Sequence, residues 1–162
     1  MGARIQNIPS NLIYDNSFNM TLSTAGSTSV KAITTSGSIV DIRDKNLTTF
    51  FLIQTSNNLT AANIQVTIDY GKVLINCQTF YNVDLYAFSA GSNTFSIDYS
   101  EDASTWTNIH SGAGAPNPQT YKETVFPFLM RYLKFSTTIT TGTSGADYCA
   151  VKLYECRTVG SG

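Results

Sequence analysis

Apolar and polar residues alternate along much of this chain. In Ile64-Gln65-Val66-Thr67-Ile68-Asp69-Tyr70 the even positions form one apolar face, and the pattern breaks at Gly71-Lys72, which reads as a turn. Val83-Asp84-Leu85-Tyr86-Ala87-Phe88 follows, closed by the loop Ser89-Ala90-Gly91-Ser92-Asn93. Thr94 to Ser100 carries Phe95, Ile97 and Tyr99 on one face, and Glu101-Asp102-Ala103-Ser104 is a polar turn. Thr105 to Ile109, Met130 to Phe135 and Ala150 to Tyr154 repeat the alternation. Ser111 to Gln119 holds two Gly and two Pro and reads as a loop.

Helical periodicity is hard to find anywhere in the chain. Short strands at intervals of about ten residues, without helices between them, predict an all-β sandwich or barrel. The first 38 residues are less patterned. Ile5, Ile8, Leu12, Ile13, Tyr14 and Phe18 are scattered among Asn and Ser. We therefore divide the chain into residues 1–38, an arm or edge segment able to contact another subunit, and residues 39–162, the sandwich.

Composition narrows the function classes. A chain of 162 residues suits one domain. Charged residues are 13% of it, about half the usual share of roughly 25%. Ser, Thr, Asn and Gly supply the polarity instead, as in the stretch from Thr137 to Gly145. The net charge of −1 and the lack of a Lys/Arg cluster leave nothing to neutralise phosphates, so nucleic acid is not an expected partner. No apolar run is long enough to span a bilayer, and Met1 to Asn11 has no signal-peptide h-region. The cysteines are Cys77, Cys149 and Cys156, an odd number, so at most one internal pair can form. On one uninterrupted strand Cys149 and Cys156 would face opposite sides and could not bridge. Three buried thiols are expected, because free cysteine packs as a small apolar residue.

Four stretches carry a family resemblance. Asp44-Lys45-Asn46-Leu47-Thr48-Thr49-Phe50-Phe51 resembles an Asp-Gly-Asn-x-x-Thr-x-Trp loop, and Ile64 to Lys72 a strand ending in a hydrophobic-Asp-Leu-Gly turn. Tyr99 to Trp106 resembles Tyr-Ser-x-Asp-Gly-x-x-Trp, and Arg131-Tyr132-Leu133-Lys134-Phe135 an Arg-Tyr-hydrophobic-Arg-hydrophobic strand. In this order they resemble the discoidin family, which includes coagulation-factor type C domains and many bacterial carbohydrate-binding modules. The resemblance implies an antiparallel, jelly-roll-like β-sandwich of about eight strands, the galactose-binding-like fold. It also implies that ligands sit on variable loops at one end.

The resemblance implies a calcium site, and the residues themselves suggest a sugar site and a structural set. A calcium ion beside the first stretch would be held by Asp44, Asn46 and Thr49, which offer hard oxygen ligands. Lys45 in place of glycine and Ala150 in place of the family's last-strand acid both depart from that pattern. Sugar binding needs exposed aromatic faces with polar groups nearby; the candidates are Phe80, Tyr81, His110, Tyr121 and Tyr148. Trp106, Arg131 and Tyr132 read as structural. Asp102 caps its turn by accepting backbone hydrogen bonds, and a buried Arg131 needs a carboxylate or carbonyl partner.

Catalysis finds little in the sequence. His110 is the only histidine, and no Gly-rich phosphate loop, G-x-S-x-G elbow or His-x-x-x-His pair occurs. The expected protein is a non-catalytic component of an extracellular assembly. A virion surface protein (a decoration, vertex or tail-associated subunit) fits the low-charge surface and the loosely patterned arm. Its partners would then be itself or other structural proteins. The alternative is a carbohydrate-binding or adhesion module that reads cell-surface glycans through the loops at one end. The path of the N-terminal segment separates the two.

Overall fold

β-Branched and aromatic residues in alternation give eight strands among the described residues: β1 Thr21–Thr28, β2 Ile33–Ser36, β3 Phe51–Thr55, β4 Ala62–Phe88, β5 Asn93–Ser100, β6 Thr107–Ala113, β7 Thr120–Ile139 and β8 Tyr148–Ser161. The structure is a computed structural model that describes residues 20–28, 33–44, 46–55, 62–88, 93–113, 120–139 and 148–161. All pairings are antiparallel. They make the jelly-roll-like β-sandwich that the sequence implies.

β4 and β7 are long enough to serve both layers. The first half of β4 pairs with β1 and with the second half of β7, whose other edge carries β5 and then β6. The second half of β4 pairs with β8, followed outward by β3 and β2, and with the first half of β7. The chain does not turn back at Gly71-Lys72 as expected. Gly71 takes a positive φ of 87°, Asp69 Oδ1 accepts its N–H at 2.7 Å, and the strand bends onward instead of ending.

The bend changes which residues face the core. Ile64, Val66, Ile68, Tyr70 and Leu74 are buried at even positions, then Cys77, Thr79, Tyr81, Val83 and Leu85 at odd ones. Register shifts between Asp69 and Thr79 absorb the extra residues, as β-bulges do. β8 repeats the device. Glu155 opposes Asn82 while Leu153 opposes Val83, so Tyr154 is the inserted residue. The strand is therefore interrupted, and Cys149 and Cys156 both face inward. All three cysteines are buried thiols. Burial pushes the Cys149 thiol up to about 12, although the Thr55 hydroxyl beside it acts in the other direction.

Several polar groups inside the sandwich are paired across strands. Thr79 Oγ1 lies 2.9 Å from Thr158 Oγ1, and the Tyr70 hydroxyl lies 3.3 Å from Cys156 Sγ. Thr137 Oγ1 donates to the carbonyl of Ala150 at 3.2 Å.

Residues 1–19 lie outside the described residues. The rest of the predicted arm contributes strands: β1 and β2 pair with β4 and β3 of the same domain. A single 3-10 turn, Ile39–Ile42, then leads into the Asp44 loop, with Ser38 and Asp41 forming its capping box. Gly37 precedes it at φ 83°, where an added Cβ would sit 2.2 Å from the carbonyl oxygen of Phe50. Only glycine fits that approach.

Candidate functional site

The turn between β5 and β6 is built by two short polar side chains. Asp102 Oδ1 accepts the N–H groups of Ser104 and Thr105, both at 2.8 Å, and the Ser100 hydroxyl at 3.1 Å. Ser100 Oγ in turn accepts from the N–H of Asp102 and of Ala103, at 3.1 and 2.9 Å. This is the Asx capping that the sequence predicts for Asp102. The peptide donors of Thr105 and Ser104, with the Ser100 hydroxyl, hold its carboxyl below the ordinary carboxylate range. Ala103 sits at φ 63°, the left-handed region, at the position where the resembled motif has glycine.

This turn and the bend of β4 border a half-open cavity of about 440 Å³. Val73 supplies an apolar wall and Tyr99 an aromatic one, the latter half-buried and packed on the core. Thr105 and Thr107 bring exposed hydroxyls, Glu101 and Asp102 bring carboxylates, and the Ser100 hydroxyl is spent within the turn. The volume lies within the usual range for small-molecule sites, roughly 300–1,000 Å³. Such a lining can grip a small polyol: hydroxyls and carboxylates exchange hydrogen bonds with it while the apolar and aromatic walls cover its C–H faces.

The expected sugar residues are not gathered here. Phe80 and Tyr81 belong to the middle of β4, not to a loop, and pair with Thr124 and Glu123 of β7. Tyr81 is only 3% exposed, and its ring meets Phe135 edge-on at 5.4 Å, so it is a core residue with no face to offer. His110 lies in β6 opposite Ile97, its ring 5.3 Å from that of Phe95. Tyr121 pairs with Val83 and Tyr148 with Phe88, both in the other layer; their side chains lie outside the described residues. Register thus separates His110 from Tyr121 and Tyr148.

The Asp44 loop does bring its three residues together, but they are bonded to one another. Thr49 Oγ1 donates to Asp44 Oδ2 at 2.6 Å, and the N–H of Asn46 to Asp44 Oδ1 at 2.9 Å. Asn46 Oδ1 accepts the N–H and the hydroxyl of Thr48, at 3.0 and 2.7 Å. The Thr49 hydroxyl and the Asn46 peptide hold the Asp44 carboxyl below its usual range. Calcium takes 6–8 oxygens, several of them carboxylate. Asp44 is the single acid of this set, and among the described residues no group of three or more His, Cys, Asp or Glu could hold a metal. The residues present do not fit the ion; they fit a self-bonded loop. Lys45 lies outside the described residues.

Trp106, Arg131 and Tyr132 form a ladder on the outer face of the first layer. Trp106 is half-buried, not inserted into the core, and Lys134 Nζ lies 4.0 Å over its ring. Tyr132 lies 6.5 Å from Trp106, and the guanidinium of Arg131 lies 5.0 Å over the Tyr132 ring. The carboxylate that Arg131 calls for is Asp69.

Sequence reasoning missed the cavity-lining roles of Val73, Tyr99, Glu101, Thr105 and Thr107. The signal was the stretch from Tyr99 to Trp106, read above as turn and fold chemistry alone.

No family model and no curated protein matches the chain. Solved structures similar to it include a GH29 fucosidase of Ruminococcus gnavus in complex with fucose, at 15% identity over 92% of this chain, TM-score 0.48. The chain spans 27% of that fucosidase's length. A family 32 carbohydrate-binding module of Clostridium perfringens NanJ, in complex with galactose, is similar at 15% identity over 91% of this chain and 98% of its own, TM-score 0.47. A pectin-binding carbohydrate-binding module is similar at 20% identity over 80% of this chain and 90% of its own, TM-score 0.39.

Proposed function

We propose that this chain is a non-catalytic carbohydrate-binding domain that acts outside the cell and holds one sugar residue in the cavity beneath the β5–β6 turn. The observation that carries the reading is the cavity's lining. Tyr99 and Val73 share the lining of a space of about 440 Å³ with the hydroxyl-bearing Thr105 and Thr107 and two carboxylates. A binding role is in keeping with how Asp102 is used. Glycoside hydrolysis asks one carboxyl of a pair to carry a proton and the other to attack or to activate water. Asp102 is committed as an ionised cap to three donors of its own turn.

Nothing among the described residues adds support to the virion-assembly expectation. It rested on the low-charge surface and the loosely patterned first residues, of which Thr21–Thr28 and Ile33–Ser36 pair with β4 and β3 of the domain itself. A cell-surface glycan is the partner this reading names.

The test is a titration of the isotope-labelled domain with simple sugars, followed by amide chemical shifts. A hexose has about 12 non-hydrogen atoms, and at about −0.3 kcal/mol each the Kd is on the order of 1 mM. Shifts should concentrate at Val73 and from Tyr99 to Thr107, and Thr107→Val should weaken binding several-fold. Saturable shifts elsewhere, with these amides unmoved, would move the site; no saturable shifts with any sugar would remove the function.

A further inference from the structure

The charge of the cavity deepens that reading, on which the following rests. We propose that the site selects neutral sugars and rejects sugar acids, the uronates and sialates. Glu101 and Asp102 both line the cavity, and none of the described residues lining it is Lys or Arg. A carboxylate-bearing sugar placed there would meet two like charges. Carboxylate recognition calls for a guanidinium fork or an ammonium, and those on the neighbouring strand are already engaged. Arg131 lies bidentate on Asp69, with Nε 2.9 Å from Oδ1 and Nη2 3.1 Å from Oδ2. Lys134 is seated over the Trp106 ring.

The two carboxylates differ in how fixed they are. Asp102 cannot swing away without surrendering the hydrogen bonds of its turn, and the donors around it keep it ionised. Glu101 is exposed and belongs to no such cap, so it is the acid that can be altered without unmaking the turn. Repulsion of this kind is specificity by an unfavourable element set against the wrong ligand. It acts through a partly open site, so dissolved salt screens it.

The experiment compares two matched sets on the whole domain by the same amide titration. Galactose, glucose and N-acetylglucosamine form the neutral set; galacturonate, glucuronate and N-acetylneuraminate form the acidic one. At low ionic strength the best acidic sugar should bind at least tenfold more weakly than the best neutral one. Glu101→Gln should narrow that ratio several-fold, and 0.5 M NaCl should narrow it likewise. An acidic sugar bound as tightly as the best neutral one would overturn the selectivity and leave the sugar site standing. A ratio indifferent to both Glu101→Gln and salt would show that charge is not its cause, and would also overturn it. If neither set moves Val73 or Tyr99 to Thr107, the carbohydrate reading itself falls, and the selectivity with it.

Discussion

Arg131 grips Asp69 in a two-pronged ion pair across neighbouring strands, with N–O distances of 2.9 and 3.1 Å. Asp69 is also the acceptor for the N–H of Gly71, where β4 bends from one layer into the other. One carboxylate thus ties β7 to the hinge of the sandwich.

Asp69 therefore carries a pH signature. The Arg131 guanidinium holds its carboxyl below the ordinary value, with the Gly71 peptide adding to the effect. A depressed carboxyl stabilises the fold fully above the unfolded value, about 3.9, and that stability is lost as pH falls through the folded value. Asp69→Asn should lower the melting midpoint by about 1–3 °C at pH 7, since both partners are about one-third exposed and water screens them. The gap to the parent should close as the pH is taken from about 4 down to 2.5. Scanning calorimetry across that range checks it; a gap constant with pH would show that the pair contributes nothing.

Ala103 presents a second, independent opportunity. Its φ of 63° places a Cβ in the left-handed region, which costs roughly 1–2 kcal/mol for a residue other than glycine. Glycine removes that cost but adds unfolded-state freedom worth about 0.4–1 kcal/mol. Ala103→Gly should raise the melting midpoint by about 1–3 °C, and Ala103→Val should lower it by more. A fall on Ala103→Gly would mean that the turn relaxes in solution to a different backbone.

The strands Ile64–Tyr70, Thr94–Ser100 and Met130–Phe135 were legible because period 2 is a local property, written in each segment. The Asp102 turn was legible because its donors lie within three residues. The continuation of β4 was not. Gly71-Lys72 looks like a turn, and only the partner strands show that a positive φ bends the chain without reversing it. Phe80 and Tyr81 were expected among the exposed sugar-binding aromatics, with polar Gln78, Thr79 and Asn82 around them in sequence. Thr79 is nonetheless buried, on a partner 79 residues away that no local pattern reveals. The cavity was hidden for the same reason, since Val73 and the β5–β6 turn meet only in three dimensions.

The Asp44 loop should be indifferent to calcium. A ligand that binds only the folded state raises its stability by RT ln(1 + [L]/Kd), so a tight site declares itself in a melt. With the oxygens of Asp44 already accepting from Thr49 and Asn46, millimolar calcium and excess chelator should give midpoints within about 1 °C. Asp44→Ala should destabilise the domain equally in both. A rise of several degrees with calcium, abolished by Asp44→Ala, would reinstate the ion.

The Thr79–Thr158 pair offers the sharpest test of the interior. The two hydroxyls lie 2.9 Å apart with both residues fully buried, and Met130 Sδ lies 3.9 Å from Thr79. Replacing one threonine by valine keeps the volume but strands the other hydroxyl away from water, which costs about 1–3 kcal/mol. Replacing both removes the donor and the acceptor together, so the double variant should lose clearly less than the sum of the singles. Denaturant unfolding of the four proteins measures the coupling. Additive losses would mean that β4 and β8 are held here by packing alone, and that the hydroxyl pair is incidental to the bulged crossing it spans.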